Sequence, residues 1–249
     1  MRIALHAAGE IGRRAGRILL AERDLTALGL YGQSGNTEDR RTTAIRELTG
    51  YDVLVTDEPA VADALGLAAI AAEDGLSAVL AVDPAEIDPQ LADRFRASDT
   101  TLLVAAGLPG IAGSLARHEA ARIDDETGVV VAWTVPGSPL RSGEAVPFPD
   151  PVGACWGREV RASGPTTFVE VPVEGPWAAA MARVESGRHS RVVGVADLGV
   201  HLEAVALAAG ALAILDGSLP PGVWCPSDAG SSFLARALGV GMEVAAFSG

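Results

Sequence analysis

Lysine is missing altogether: every basic side chain among the 249 residues is an arginine or a histidine. Its absence removes Schiff-base catalysis, the Tyr-x-x-x-Lys chemistry of short-chain dehydrogenases and a lysine-bearing phosphate loop. Cysteine is scarce. Cys155 and Cys225 lie far apart without metal-ligand spacing, so no metal is expected, and a reduced cytoplasmic protein is the expectation. Positive charge is in deficit. The formal net charge of −13 sets the chain against a nucleic-acid backbone or an anionic membrane, and neither is an expected partner. Long hydrophobic runs are lacking too. The longest charge-free apolar run, residues 204–215, is too short to cross a bilayer, and the N-terminus reaches Glu10 before a signal-peptide core has accumulated. What remains is a soluble chain with ample apolar content for one large or two small domains.

Within those limits the first half alternates short apolar runs with helical stretches. Strands are predicted over residues 2–6, 25–31, 52–56, 77–82 and 101–105, and helices over 10–23, 60–74, 88–97 and 107–122. Repeated βα units of this kind predict an α/β fold, a Rossmann-type doubly wound parallel sheet, over residues 1–125. The texture changes after Asp124. Strands at 128–135, 166–173 and 191–195 predict a second, smaller α+β domain over 126–197. Between them, residues 136–155 are rich in Pro, Gly and Ser and read as a long functional loop. An apolar helix over 198–215, a helix ending near Leu238 and a strand at 241–247 make up a third segment, 198–249.

The segment from His6 to Gly12 sits where a dinucleotide fingerprint belongs, after the first strand and opening the first helix. Gly9 lets the backbone approach a diphosphate, Glu10 and Ile11 begin the helix, and Gly12 allows the helix to pack closely on the sheet. Free amides and a partial positive charge at the helix start then face the phosphates. The pattern's first glycine is missing after His6, so an ordinary βα turn with two glycines is the competing reading. The second strand ends Tyr31-Gly32-Gln33-Ser34 with no carboxylate for a ribose, and Arg40 and Arg41 follow. Ser34, Arg40 and Arg41 therefore point to a 2′-phosphate and NADP, with NAD still open; the competing reading makes the two arginines solvated surface charges.

Several segments, taken in order, resemble dihydrodipicolinate reductase and its relatives. Asp52-Val-Leu-Val-Thr-Asp-Glu-Pro59 is similar to that family's strand and Asp-Phe-Thr-x-Pro turn. Leu103-Val-Ala-Ala-Gly-Leu-Pro-Gly-Ile111 is similar in place to its Ala-Pro-Asn-Phe-Ser segment, and residues 210–224 to its closing helix and Pro-Gly turn. The resemblance implies that Asp57, Pro59 and Gly107 lie near the nicotinamide end of the cofactor. It also implies that the final helix returns to the first domain and that copies of the chain associate through the second domain's sheet. Saccharopine-dehydrogenase-like proteins are a second, looser likeness. The family's His-His-x-x-x-Lys catalytic run is absent: residues 131–139 hold neither histidine nor lysine, which argues against native dihydrodipicolinate reduction.

Hydride transfer needs a cofactor, an oriented substrate and a proton donor. Arg141-Ser142-Gly143 puts a guanidinium, a hydroxyl and a glycine amide in a row, a candidate clamp for a substrate carboxylate, against the plainer reading of a flexible polar loop. His201, at the start of the apolar helix, is a candidate acid, with a structural or surface role as the competing reading. Trp133 is a second candidate catalytic-site residue, read as a pocket wall, with core packing as its alternative. The sequence thus predicts an NAD(P)H-dependent reductase or dehydrogenase of a small imine or carbonyl compound, acting as a homo-oligomer. A nucleotide-binding regulator without turnover is the rival.

Overall fold

The computed structural model describes residues 1–32, 39–123, 127–187 and 189–248, apart from the side chains of residues 247 and 248. Its first half runs β1 (Arg2–His6), α1 (Glu10–Ala21), β2 (Ala27–Tyr31), β3 (Thr42–Ile45), β4 (Val53–Thr56), α2 (Val61–Glu73), β5 (Ser77–Leu80), α3 (Pro89–Ala97), β6 (Thr101–Val104) and α4 (Gly107–Ala120). The second half runs β7 (Gly128–Pro136), β8 (Glu144–Pro147), β9 (Ala154–Ser163), β10 (Thr166–Val173), β11 (Trp177–Ser186) and β12 (His189–Leu198). It closes with α5 (Gly199–Leu215), β13 (Gly222–Trp224), α6 (Pro226–Gly239) and β14 (Ala245–Ser248).

The first sheet has seven parallel strands in the order β13-β6-β5-β4-β1-β2-β3. Its central strands are continuous apolar runs because both faces are covered. Alternate residues serve opposite layers. Ile3, Leu5, Val55, Val79 and Leu103 pack towards α1, α4 and α5, while Ala4, Leu54, Leu80 and Leu102 pack towards α2 and α3. The fold is thus the expected α/β arrangement, a doubly wound Rossmann-type sheet with a second domain beside it.

The second sheet is mixed, in the order β14-β12-β11-β7-β10-β9-β8, with β7 and β10 its parallel pair. One continuous core joins the two sheets. The helix α5 is buried along most of its length and packs against α1, α6, β4, β5 and β12, which is why its sequence is apolar all round. It crosses the first sheet so closely at Gly210 that an added Cβ would lie 2.7 Å from Leu103 Cδ2. On α4 the buried Glu119 carboxylate meets Arg191 of β12 at 2.8 Å, tying the helix to the second sheet.

Several elements depart from the sequence expectation. Residues 136–155 are not a single irregular loop: they hold β8 and the start of β9, which pair at the sheet's edge. β11, with its Ala-Ala-Ala-Met-Ala centre, has a helix-former's composition, yet pairs with β7 on one side and β12 on the other. Sheet pairing on both sides overrides the local preference. The C-terminal segment adds β13 beside β6 on the first sheet and ends as β14 on the second.

Candidate active site

The glycine loop lies at the carboxyl end of β1, next to the carboxyl end of β4, because the two strands pair in register from Ile3 with Val53 to His6 with Thr56. That pairing brings Asp57 under the loop. Its carboxylate accepts the amides of Ala8 at 2.6 Å, Gly9 at 2.9 Å and Gly12 at 2.7 Å. The start of α1 is thereby capped by a side chain from 45 residues away rather than by its own N-cap, Gly9. Gly12 must be glycine for this: a Cβ there would lie 2.5 Å from Asp57 Oδ1. His6 stands beside the same cluster, its Nδ1 3.1 Å from the Thr56 hydroxyl, and Thr56 in turn accepts the amide of Glu58 at 3.1 Å. Pro59 follows, exposed.

At the β2 end the sequence expectation divides. Ser34 lies outside the described residues. Arg40 is exposed just before β3. Arg41 is turned to the opposite end of the sheet. Its guanidinium donates to the carbonyls of Leu20 and Glu22 at the end of α1 and pairs with Asp39 at 3.0 Å. β3 begins beside Leu28 and runs parallel to β2, so the residues just before it sit at the amino ends of the strands, away from any phosphate at the carboxyl ends. Arg41 is therefore corrected to a structural arginine. The arginine at the carboxyl end is Arg46, directly after β3, exposed and without an ion pair among the described residues. Sequence reading missed it because β3 is short and half-exposed.

A cavity of about 1150 Å³ opens at the carboxyl ends of β5 and β6, between the start of α4, the start of α5 and the inner face of β7 and β10. Gly107 and Trp133 line it; the glycine loop does not. The chain turns from β6 into α4 through two left-handed residues, Ala106 (φ 51°) and Gly107 (φ 55°). For an alanine that conformation costs about 1 kcal/mol or more, and strain of this kind clusters at functional sites. The turn has to be tight, since a Cβ on Gly110 would sit 2.2 Å from the Ala105 carbonyl oxygen.

Trp133 meets Phe168 edge to face, with ring centroids 6.5 Å apart. An indole offers only an N–H donor, so Trp133 is a wall and not an acid. Over the Phe168 ring, 4.2 Å from its centroid, lies the guanidinium of Arg161, which also lines the cavity and has no ion pair among the described residues. Glu203 faces the cavity from the first turns of α5, its Cγ 3.7 Å from the Cβ position of Gly107. Burial pushes its carboxyl above the ordinary range. Cys225 lines the cavity too. Burial, then Asp228 and Asp83, push its thiol up to about 11, so it stays protonated and unreactive near neutrality.

Two of the candidate residues are not brought to the cavity. His201 is two residues from Glu203, on another side of α5, and does not line the cavity. Its Nδ1 accepts from Arg14 Nε at 3.0 Å and its Nε2 lies 3.7 Å from Asp197, a contact that fastens α5 to α1. Gly199, Glu203 and Leu207 share the cavity face at helical spacing. The Arg141–Ser142–Gly143 run is exposed on the β7–β8 connection. Ser142 and Gly143 border a separate recess of about 330 Å³, and Arg141 lines neither space.

For a dinucleotide the loop offers a partial fit. Three amides are committed to Asp57, while those of Glu10 and Ile11, at the open end of α1, have no acceptor among the described residues. Were a dinucleotide bound, those two amides would face its diphosphate, with Gly32 and Arg46 towards the adenosine end and Gly107 towards the nicotinamide end.

No known family profile matches the chain, and no curated protein resembles it in sequence. Solved structures do match in fold. Saccharopine dehydrogenase (L-Glu forming) from Saccharomyces cerevisiae aligns over 100% of this chain and 99% of its own, with TM-score 0.68 and 8% identity. Amine dehydrogenase from Mycobacterium smegmatis covers 92% and 95%, with TM-score 0.61 and 11% identity. Dipicolinate-bound dihydrodipicolinate reductase from Paenisporosarcina sp. TG-14 covers 90% and 97%, with TM-score 0.56 and 8% identity. The chain therefore has the two-domain fold that these dehydrogenases and reductases share, a Rossmann-like parallel sheet followed by a mixed sheet.

Proposed function

We propose that the chain is an NAD(P)-dependent oxidoreductase acting on a small imine or carbonyl compound that bears a carboxylate. One observation carries the reading. A cavity of about 1150 Å³ at the carboxyl ends of β5 and β6 sets a protonatable carboxyl, Glu203, and a guanidinium with no ion pair among the described residues, Arg161, on different walls. The fold neighbours agree in class, being named as dehydrogenases of amino compounds and as a reductase holding dipicolinate, a dicarboxylate.

When bound, the nicotinamide supplies or takes up the hydride. The remaining work falls to the chain. Arg161 holds the substrate carboxylate through paired N–H donors. Trp133 and Phe168 keep water from the reacting carbon. Glu203, its carboxyl biased towards the protonated form by burial, gives a proton to the nitrogen or oxygen of the bond being reduced, and takes one back in the reverse direction. Arg46 and the lack of a carboxylate at the end of β2 favour NADPH over NADH. Association of copies through the second sheet remains part of the proposal, with the mass in solution by light scattering as its check.

The test is steady-state NADPH oxidation with a panel of cyclic imino acids and of 2-keto acids with ammonium. Saturable turnover with at least one member is the expected result. Nucleotide binding in calorimetry with no turnover across the panel would replace the proposal by its rival, a nucleotide-binding regulator. That rival has a specific observation in its favour, the absence of histidine and lysine from residues 131–139.

A further inference from the structure

The loop between β1 and α1 already holds an anion, and the anion is the chain's own. Asp57 is only 8% exposed, and its two oxygens take the amides of Ala8, Gly9 and Gly12. No cationic side chain pairs with it among the described residues. The carboxylate fills the hollow beneath the helix start: a Cβ on Gly12 would approach its Oδ1 to 2.5 Å, and one on Gly9 would approach its Oδ2 to 3.1 Å.

We infer that Asp57 sets the dinucleotide affinity of this loop, holding its shape while opposing the diphosphate with its charge. The inference rests on the nucleotide-binding reading above. A helix N-terminus amounts to about half a positive charge, spread over its first free amides. Here a full negative charge lies against that end and uses one of those amides, that of Gly12, together with the two loop amides before the helix. A diphosphate arriving at Glu10 and Ile11 meets an end whose positive potential is spent. It also meets a second anionic acceptor with no proton to share. The adenosine and nicotinamide ends of a ligand carry no such penalty, so the effect falls on the phosphates alone.

Calorimetric titration of the parent, Asp57→Asn and Asp57→Ala with NADPH, ADP and adenosine separates these contributions, with circular dichroism verifying that each variant is folded. The Asn variant keeps the side chain's size and one accepting oxygen; the Ala variant empties the hollow. NADPH and ADP are expected to bind both variants about tenfold tighter or more, the scale of one unit charge facing another across a few ångströms of protein. Adenosine, lacking phosphate, should bind all three alike. Should Asp57→Ala not fold, Asp57→Asn decides the matter. Folded variants that bind NADPH and ADP no better than a parent that binds them well would overturn this inference and leave the nucleotide reading intact. No binding of NADPH or ADP by the parent or by either folded variant would overturn both.

Discussion

At the carboxyl ends of β1 and β4, polar groups have been used up on one another. Asp57 takes three loop amides and His6 meets Thr56. At the carboxyl ends of β5 and β6, on the same sheet, polar groups are left over. Glu203 is half-buried without an ion pair among the described residues, and Arg161 rests on a ring instead of a carboxylate. A sheet edge whose hydrogen bonds close internally is a structural joint with little binding energy to offer. An edge with unspent donors and acceptors above a large cavity is where a ligand gains most. The difference teaches that the glycine loop, the plainest motif in the sequence, is the less available of the two regions.

The largest expected effect breaks the comparison at its open end. Glu203→Gln should lower kcat by roughly 10²–10⁴-fold, the usual contribution of a positioned proton donor, with little change in substrate KM. The same variant has a stability signature. The folded-state carboxyl titrates above its unfolded value, so Glu203 is harmless while protonated and destabilising once pH rises through the raised value. The Gln variant should therefore melt higher than the parent at pH 8 and alike at pH 4. A parent that melts as high as the variant at pH 8 would remove burial as the cause.

Arg161→Ala comes next. It should raise KM for carboxylate-bearing substrates by about 10- to 100-fold, from about 1.5–3 kcal/mol for a charged hydrogen bond, and leave NADPH affinity alone. Arg141→Ala, on the exposed connection, should change neither. Equal effects from the two would return the clamp to the β7–β8 connection.

At the closed end, Gly12→Ala forces a methyl against the Asp57 carboxylate and the Ala7 backbone. Overpacking of this kind costs about 1–3 kcal/mol, seen as a lower denaturation midpoint at constant slope. A midpoint equal to that of the parent would mean that Asp57 does not occupy the hollow. The smallest expected effect concerns the cofactor. Arg46→Ala should reduce the preference for NADPH over NADH by about tenfold, the low end of one charged contact. Arg41→Ala should lower stability and leave that preference unchanged, and a loss of preference in Arg41→Ala would put the phosphate at the wrong end of β3.

The sheet was legible because its signals are local. The apolar runs at 2–6 and 52–56 and the glycines at 9 and 12 need no distant partner to be read. The second sheet was legible only in its apolar strands, β7, β10 and β12. β9 is exposed along most of its length and β11 is alanine-rich. Neither carries the alternation that marks a half-buried strand, because one lies near an edge and the other is buried between neighbours. The site followed the same division. Gly107 and Trp133 came from a segment resemblance and from residue type, whereas Arg161 and Glu203 did not register, since nothing local distinguishes them from other charged residues.

What the sequence determined by itself is the order of βα units, the glycine turn and the chemistry that a chain without lysine cannot perform. These follow from side-chain period, backbone freedom and inventory, which are properties of neighbours along the chain. Only the tertiary structure decided that Asp57 fills the loop, that α5 turns Glu203 rather than His201 towards the cavity, and that Arg41 faces away from the ligand end of the sheet. Each of those depends on strand register or helix rotation relative to a distant element. A shift of one residue in β4 against β1, or of two along α5, exchanges which side chain meets the site, and that choice is made by packing across the whole core.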